Sequence, residues 1–268
     1  CAYAGVRMSD HLAAAANYDE IINYVLESYL QDNIVAEPMA GVDKGSPEVL
    51  DGLYTLNQNE RSRINFYKNN TIHYFLPLIF ISLALLSRAE NDEMEEEALA
   101  QAFNDLTDLL SLEFIYSESY LDTAATIAKA LEYLEKRGTV ARAGGKIRVQ
   151  PDRRDEPVLF AKAVQDFLES YLVVCDCVLQ KRKRISRREL IHEIRKNGIK
   201  MFHLGEVKLT ESLSMPNYEN AIARLDREEV FEKFPGAKKQ IDLILKNETK
   251  AVELKGRIER YLRPLQKV

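Results

Sequence analysis

Apolar segments with helical spacing dominate the chain, separated by short polar stretches rich in Gly, Pro, Asn or charge. Over 9–33, Ile21, Ile22, Val25, Leu26 and Tyr29 recur at intervals that predict a helix, with Ser9 or Asp10 as its cap. EPMAGVDKGSPE reads as a loop, and 49–60 as a weak strand or hairpin. A helix from about Arg61 leads into Tyr74–Leu86, a run of 13 residues that is apolar except at Pro77 and Ser82. A bilayer span needs about 20 residues. A run apolar on all sides suits a helix buried in a helical domain, with Pro77 in its first turn or at a kink. Phe75, Leu78, Ile79 and Leu85 are expected inside it. An interfacial helix would want a basic face, and the acidic ENDEMEEE that follows would be repelled by an anionic leaflet.

Further along, Leu99, Phe103, Leu106, Leu110 and Phe114 form the stripe of a helix whose acidic start suits the helix dipole. Ile127, Leu131 and Leu134 mark the next helix, which Gly138 ends. Two strands, Thr139–Arg142 and Lys146–Val149, then meet at Gly144 and Gly145, a hairpin signal. Helix, helix, hairpin is the order of a winged-helix unit, here at about 95–150. Residues 156–180 read as one long helix with Phe160, Val164, Phe167, Leu168 and Tyr171 on its core face. Ser186 and Glu189 form a capping-box pattern, 217–231 a short helix, and 236–268 a single amphipathic helix. The helix pair at 186–230 echoes the one at 95–140 without an exact repeat. The fold class expected is mainly α, a multi-helix domain with a small winged-helix-like β-hairpin.

Composition agrees. The 268 residues are 46% hydrophobic and 29% charged, enough for a sizeable core, and 11 Gly and 8 Pro are few, which favours helix. A net charge of −5 argues against a dedicated nucleic-acid binder. Cys1, Cys175 and Cys177 make neither a disulfide framework nor a zinc site, and fit a reducing, cytosolic setting. The chain begins with Cys1 rather than Met, which reads as a fragment, since nothing after Cys1 looks like a lipoprotein tether.

A histidine base held by an aspartate in H-x-x-x-x-D would mark acyl-transfer chemistry. Here the fifth residue after His11, His73, His192 and His203 is Ala16, Leu78, Asn197 and Lys208. There is no G-x-S-x-G, P-loop or G-x-G-x-x-G either. No catalytic residue, metal site or cofactor is therefore expected. Lys181, Arg182, Lys183, Arg184, Arg187 and Arg188 form a basic run. It reads as a solvated loop, as a contact for anionic headgroups, or as a DNA contact beside the winged-helix-like unit. In FYKNN, the asparagines either bridge buried backbone groups or form a polar patch at the edge of an active site in another domain.

NFYKNNTIHYFLPLIFISLAL resembles the Y-R-N-N-x-x-H-x-x-x-x-P segment in the C-terminal region of bacterial membrane-associated glycerol-3-phosphate acyltransferases. Tyr67, Asn69, Asn70, His73 and Leu76 match, Lys68 stands for the usual Arg, and Pro77 falls close to the family's Pro. The segments at 113–140 and 184–231 are similar to later blocks of the same region, and the likeness runs from about 50 to 232. It implies an N-terminal helix and connecting segment at 1–60, and a helical, acyltransferase-associated domain at 61–268. It further implies that acyl transfer from acyl-CoA or acyl-carrier protein takes place on an upstream H-x-x-x-x-D domain, which this chain would scaffold. Lys68, Asn69, Asn70 and His73 become candidates for a substrate or domain interface. The partners implied are the catalytic domain and an anionic membrane surface, the setting the cytoplasmic face of the inner membrane. A stand-alone DNA-binding regulator is the alternative.

Overall fold

A computed structural model describes residues 18–36, 55–57, 60–89, 92–116, 122–236 and 241–266. The chain divides into two units, Cys1–Ile72 and His73–Val268. In the first unit, α1 (Tyr18–Gln31) is the expected N-terminal helix; 9–17 and the loop at 37–48 lie outside the described residues. Asn33 turns the chain at a positive φ of 54°. β1 (Val35–Ala36) then pairs antiparallel with β2 (Thr55–Leu56), and α2 (Arg61–Thr71) follows.

The second unit is built on α3 (Leu76–Leu86), in which all eleven residues are buried, as an all-apolar helix requires. Pro77 sits in its first turn, where no hydrogen bond is lost. Phe75, the helix cap, is only half-buried, whereas Leu78, Ile79 and Leu85 are buried as expected. Among the described residues no single helix is long and apolar enough to cross a membrane. β3 (Met94–Glu95) and α4 (Glu96–Leu109) follow, then α5 (Thr123–Lys136), β4 (Val140–Ala143) and β5 (Lys146–Val149). The hairpin turns at Gly144 and Gly145, both at positive φ. β3 adds to its far side, giving the order β3-β5-β4, a strand that two residues of pattern could not announce.

The helix expected over 156–180 is two helices, α6 (Asp155–Lys162) and α7 (Gln165–Gln180). Ala163 and Val164 donate to carbonyls only three residues back, which breaks the α-ladder. The halves have different partners: α6 packs on α3, whereas α7 packs on three later helices. β6 (Ile185–Ser186) leads into α8 (Arg187–His203), capped as expected: Ser186 Oγ accepts from Glu189 N at 3.2 Å, and Glu189 Oε2 accepts from Ser186 N at 3.2 Å. α9 (Met215–Arg227) and β7 (Phe231–Pro235) come next. The tail is not one helix. Ile241–Leu245 is β8, central in the order β6-β8-β7, and α10 (Glu248–Leu262) starts only after Asn247 caps Lys250 N at 3.1 Å. A helix cap and a strand-forming IDLIL run account for the division.

The second unit is thus a repeat. α3-β3-α4-α5-β4-β5-α6 has the order of α7-β6-α8-α9-β7-β8-α10, and both three-stranded sheets have the same strand arrangement. The closing helix packs on the opening one each time, α6 on α3 and α10 on α7. Core positions correspond at a constant offset of 91 (190 and 99, 225 and 134): Leu99 with Leu190, Phe103 with Ile194, Ala130 with Ala221, Leu131 with Ile222, Leu134 with Leu225, all buried. Even the turn is kept, with Gly138 at φ 70° and Glu229 at φ 57°.

Candidate functional site

Of the candidates, Lys68, Asn69 and Asn70 belong to the first unit and His73 to the second. Lys68, half-buried, and Asn69 and Asn70, exposed, end α2 in the first unit. The Lys68 carbonyl accepts from Thr71 Oγ1 at 3.3 Å. His73 opens the second unit, half-buried, its ring 3.9 Å from that of Tyr74. His192 and His203 are exposed on α8.

The basic run splits by partner. Lys181 Nζ donates to Glu193 at 2.6 Å, Arg182 to Glu248 at 2.6 Å, and Arg184 to Asp242 at 2.8 Å and to the Pro235 carbonyl at 2.6 Å. These contacts tie the α7–α8 link to β8 and α10. Lys183, Arg187 and Arg188 are exposed and form no ion pair among the described residues.

A third group went unnoticed in sequence. The first half of α7 is buried all round, polar residues included: Gln165, Asp166, Glu169 and Ser170. In the first repeat the positions matching Glu169 and Ser170 are Leu78 and Ile79, so the core itself does not demand polarity there. Glu169 is fully buried and fully used. It accepts from Ser212 Oγ at 2.7 Å, Gln165 Nε2 at 2.7 Å, and the backbone N–H groups of Lys208 and Leu209 at 3.2 and 3.1 Å. A carboxylate holding four donors anchors the 207–213 loop and has no lone pair left to act as a base. Ser170 adds a bond to the Ser212 carbonyl at 2.8 Å.

A further set of polar contacts joins the repeats. Arg224, 6% exposed, forms a bidentate pair with Asp108 and reaches Glu228 at 2.6 Å. Asn220 donates to the Leu112 carbonyl at 3.2 Å and to Glu113 at 3.1 Å. Burial pushes the Glu113 carboxyl up to about 7, with Asp166 adding to the rise and the Asn220 bond opposing it. The signal in the sequence was the QDFLES stretch, whose four polar residues at i, i+1, i+4 and i+5 lie along one side of a helix.

None of this assembles a nucleophile with a base. Burial pushes the Cys175 and Cys177 thiols up to about 12 and about 11, which leaves them protonated and inert. Among the described residues no three His, Cys, Asp or Glu side chains could hold a metal ion.

The described residues make a mainly α fold with two small three-stranded sheets and polar contacts between the repeats. The chain belongs to the family described as the glycerol-3-phosphate acyltransferase C-terminal region, which it matches over residues 2–233. The match begins well before the likeness visible by eye at about residue 50, and it stops before β8 and α10, which complete the second repeat. No curated protein matches the chain.

Proposed function

We propose that this chain serves a glycerol-3-phosphate acyltransferase as the accessory part that holds the catalytic domain in shape and seats it on a membrane. The observation that carries this reading is the family match over 2–233 in a sequence without H-x-x-x-x-D. Buried and half-buried polar groups of the second unit support it: Glu169 and Ser170 anchor a loop, and Asn220 and Arg224 join the repeats, as a scaffold would require. Acyl transfer from acyl-CoA or acyl-carrier protein would then occur on residues outside these 268. Lys68, Asn69, Asn70 and His73 are the proposed contact with the catalytic domain. Lys183, Arg187 and Arg188 are the proposed contact with anionic headgroups.

The regulator reading has the helix-helix-hairpin order in its favour. A DNA-reading helix, however, carries net positive charge toward the phosphates. α5 sets Lys129 and Lys136 against Glu132 and Glu135, and α9 sets Arg224 and Arg227 against Glu219 and Asp226. Neither helix is basic. The test of the accessory reading is an acyl-transfer assay on the purified 268-residue chain with glycerol 3-phosphate and acyl-CoA. No turnover above background is expected, and measured turnover refutes it.

A further inference from the structure

We propose that the crevice between the end of α3, α4 and the last turns of α10 binds a phosphate-bearing anion. Its volume is about 620 Å³, within the range of small-molecule sites. Three guanidinium groups line it, those of Arg88, Arg257 and Arg260, against one carboxylate, Asp105. Three positive charges and one negative leave a local balance of +2 on a chain of net charge −5.

Asp105 is already engaged. Arg257 pairs with it, and the Tyr261 hydroxyl donates to its Oδ2 at 3.1 Å. Arg257 and Tyr261 are thereby fixed at the base of the crevice. Arg88 and Arg260 are exposed and form no ion pair among the described residues, so their forked donors can meet an incoming oxyanion. On the α4 wall Ala98 and Ala102 are small, and beside them Met94 of β3 is buried, a surface suited to the carbon skeleton of an organic phosphate rather than to a second charge.

The repeat supplies an independent argument. The position matching Arg88 in the second repeat is Leu179, so the repeated fold does not require an arginine there. Arg88 follows α3, and Arg260 stands in the last turn of α10, places where a cation balances a helix dipole. Balancing two separate helix ends does not require that both arginines line one open crevice.

Phosphate oxygens could come from a phosphomonoester, from the nucleotide of coenzyme A or from a lipid headgroup. The test uses the full 268-residue chain at low salt. Glycerol 3-phosphate and coenzyme A are titrated by calorimetry, and vesicles of phosphatidylglycerol in phosphatidylcholine by co-sedimentation. At least one arm should bind, weaken at least tenfold in Arg88→Gln/Arg260→Gln, persist in Arg260→Lys, and stay unchanged in Lys200→Gln, an exposed residue of α8 outside the crevice lining. The responding arm names the source. An unchanged melting temperature, expected for exposed arginines, shows that the double variant is folded. No binding in any arm, or binding that survives the double substitution, overturns the proposal and leaves the arginines as helix-end charges only.

Discussion

Gly198 lies inside α8, where alanine would ordinarily stabilise a helix by about 1 kcal/mol. Here the sign should reverse. A β-carbon at Gly198 would collide with the hydroxyl oxygen of Tyr218, and would lie 3.1 Å from Leu213 Cδ2 and 3.2 Å from Val173 Cγ1. Tyr218 is fully buried on α9 and cannot swing out, and Val173 is fixed in the core of α7. Overpacking of this kind costs about 1–3 kcal/mol, which outweighs the propensity gain in most of that range. The Tyr218 hydroxyl has no hydrogen-bond partner among the described residues, so Tyr218→Phe alone should change stability by less than about 1 kcal/mol. It also removes the colliding atom. Gly198→Ala should therefore be destabilising by up to about 2 kcal/mol in the parent chain and near neutral in the Tyr218→Phe background, a coupling of up to about 2 kcal/mol. Urea unfolding of the four proteins, followed by circular dichroism, measures it. A Gly198→Ala chain more stable than its parent, or the same effect in both backgrounds, would refute the packing described for α7, α8 and α9.

Three further outcomes are expected. The Glu113 carboxyl is held up near 7 by burial against an ordinary value of 4.5, so between these values the folded state binds the extra proton and stability falls as pH rises, by up to about 3 kcal/mol; Glu113→Gln should flatten that slope in unfolding measured from pH 4.5 to 7.5, and an unaltered slope would remove Glu113 as its cause. Leu78→Asp places a charge in the fully buried α3 and should abolish the cooperative thermal transition, whereas a variant that keeps its melting temperature and only loses lipid binding would make α3 interfacial. Replacing Lys183, Arg187 and Arg188 by Gln should weaken binding to anionic vesicles most at 0.01 M salt, where charges act over about 30 Å rather than about 8 Å, with folding unchanged; equal binding at every salt concentration would reduce the run to a solvated loop.

Much of the fold was legible because it rests on local rules. An eleven-residue apolar helix, a Ser186–Glu189 capping box and a hairpin at paired glycines each follow from neighbours in sequence. What could not be read depends on distant partners. Residues 156–180 have unbroken helical spacing, yet they divide because α6 belongs with α3 and α7 with α10. β8 became visible only as the strand lying between β6 and β7, and its charged flanks had suggested helix. The repeat was half-seen as an echo between helix pairs, since its evidence is burial and turn geometry rather than residue identity: Gly138 and Glu229 share a backbone conformation but no chemistry. Likewise the basic run could be read as charge, but not that Lys181, Arg182 and Arg184 would find acidic partners while Lys183, Arg187 and Arg188 stayed outward. Glu169 and Asp166 were hidden for the opposite reason, since polar residues on a helix are ordinarily taken for its wet face.

The central claim is that these residues serve an acyltransferase without performing the chemistry. It is tested most directly by measuring acyl transfer to glycerol 3-phosphate in three samples: the 268-residue chain, a catalytic H-x-x-x-x-D domain of the parent enzyme, and the two joined in one polypeptide. The account predicts turnover that is strong in the joined protein, absent from the 268-residue chain and much reduced in the catalytic domain alone. Activity in the 268-residue chain, or a catalytic domain as active alone as when joined, would contradict it.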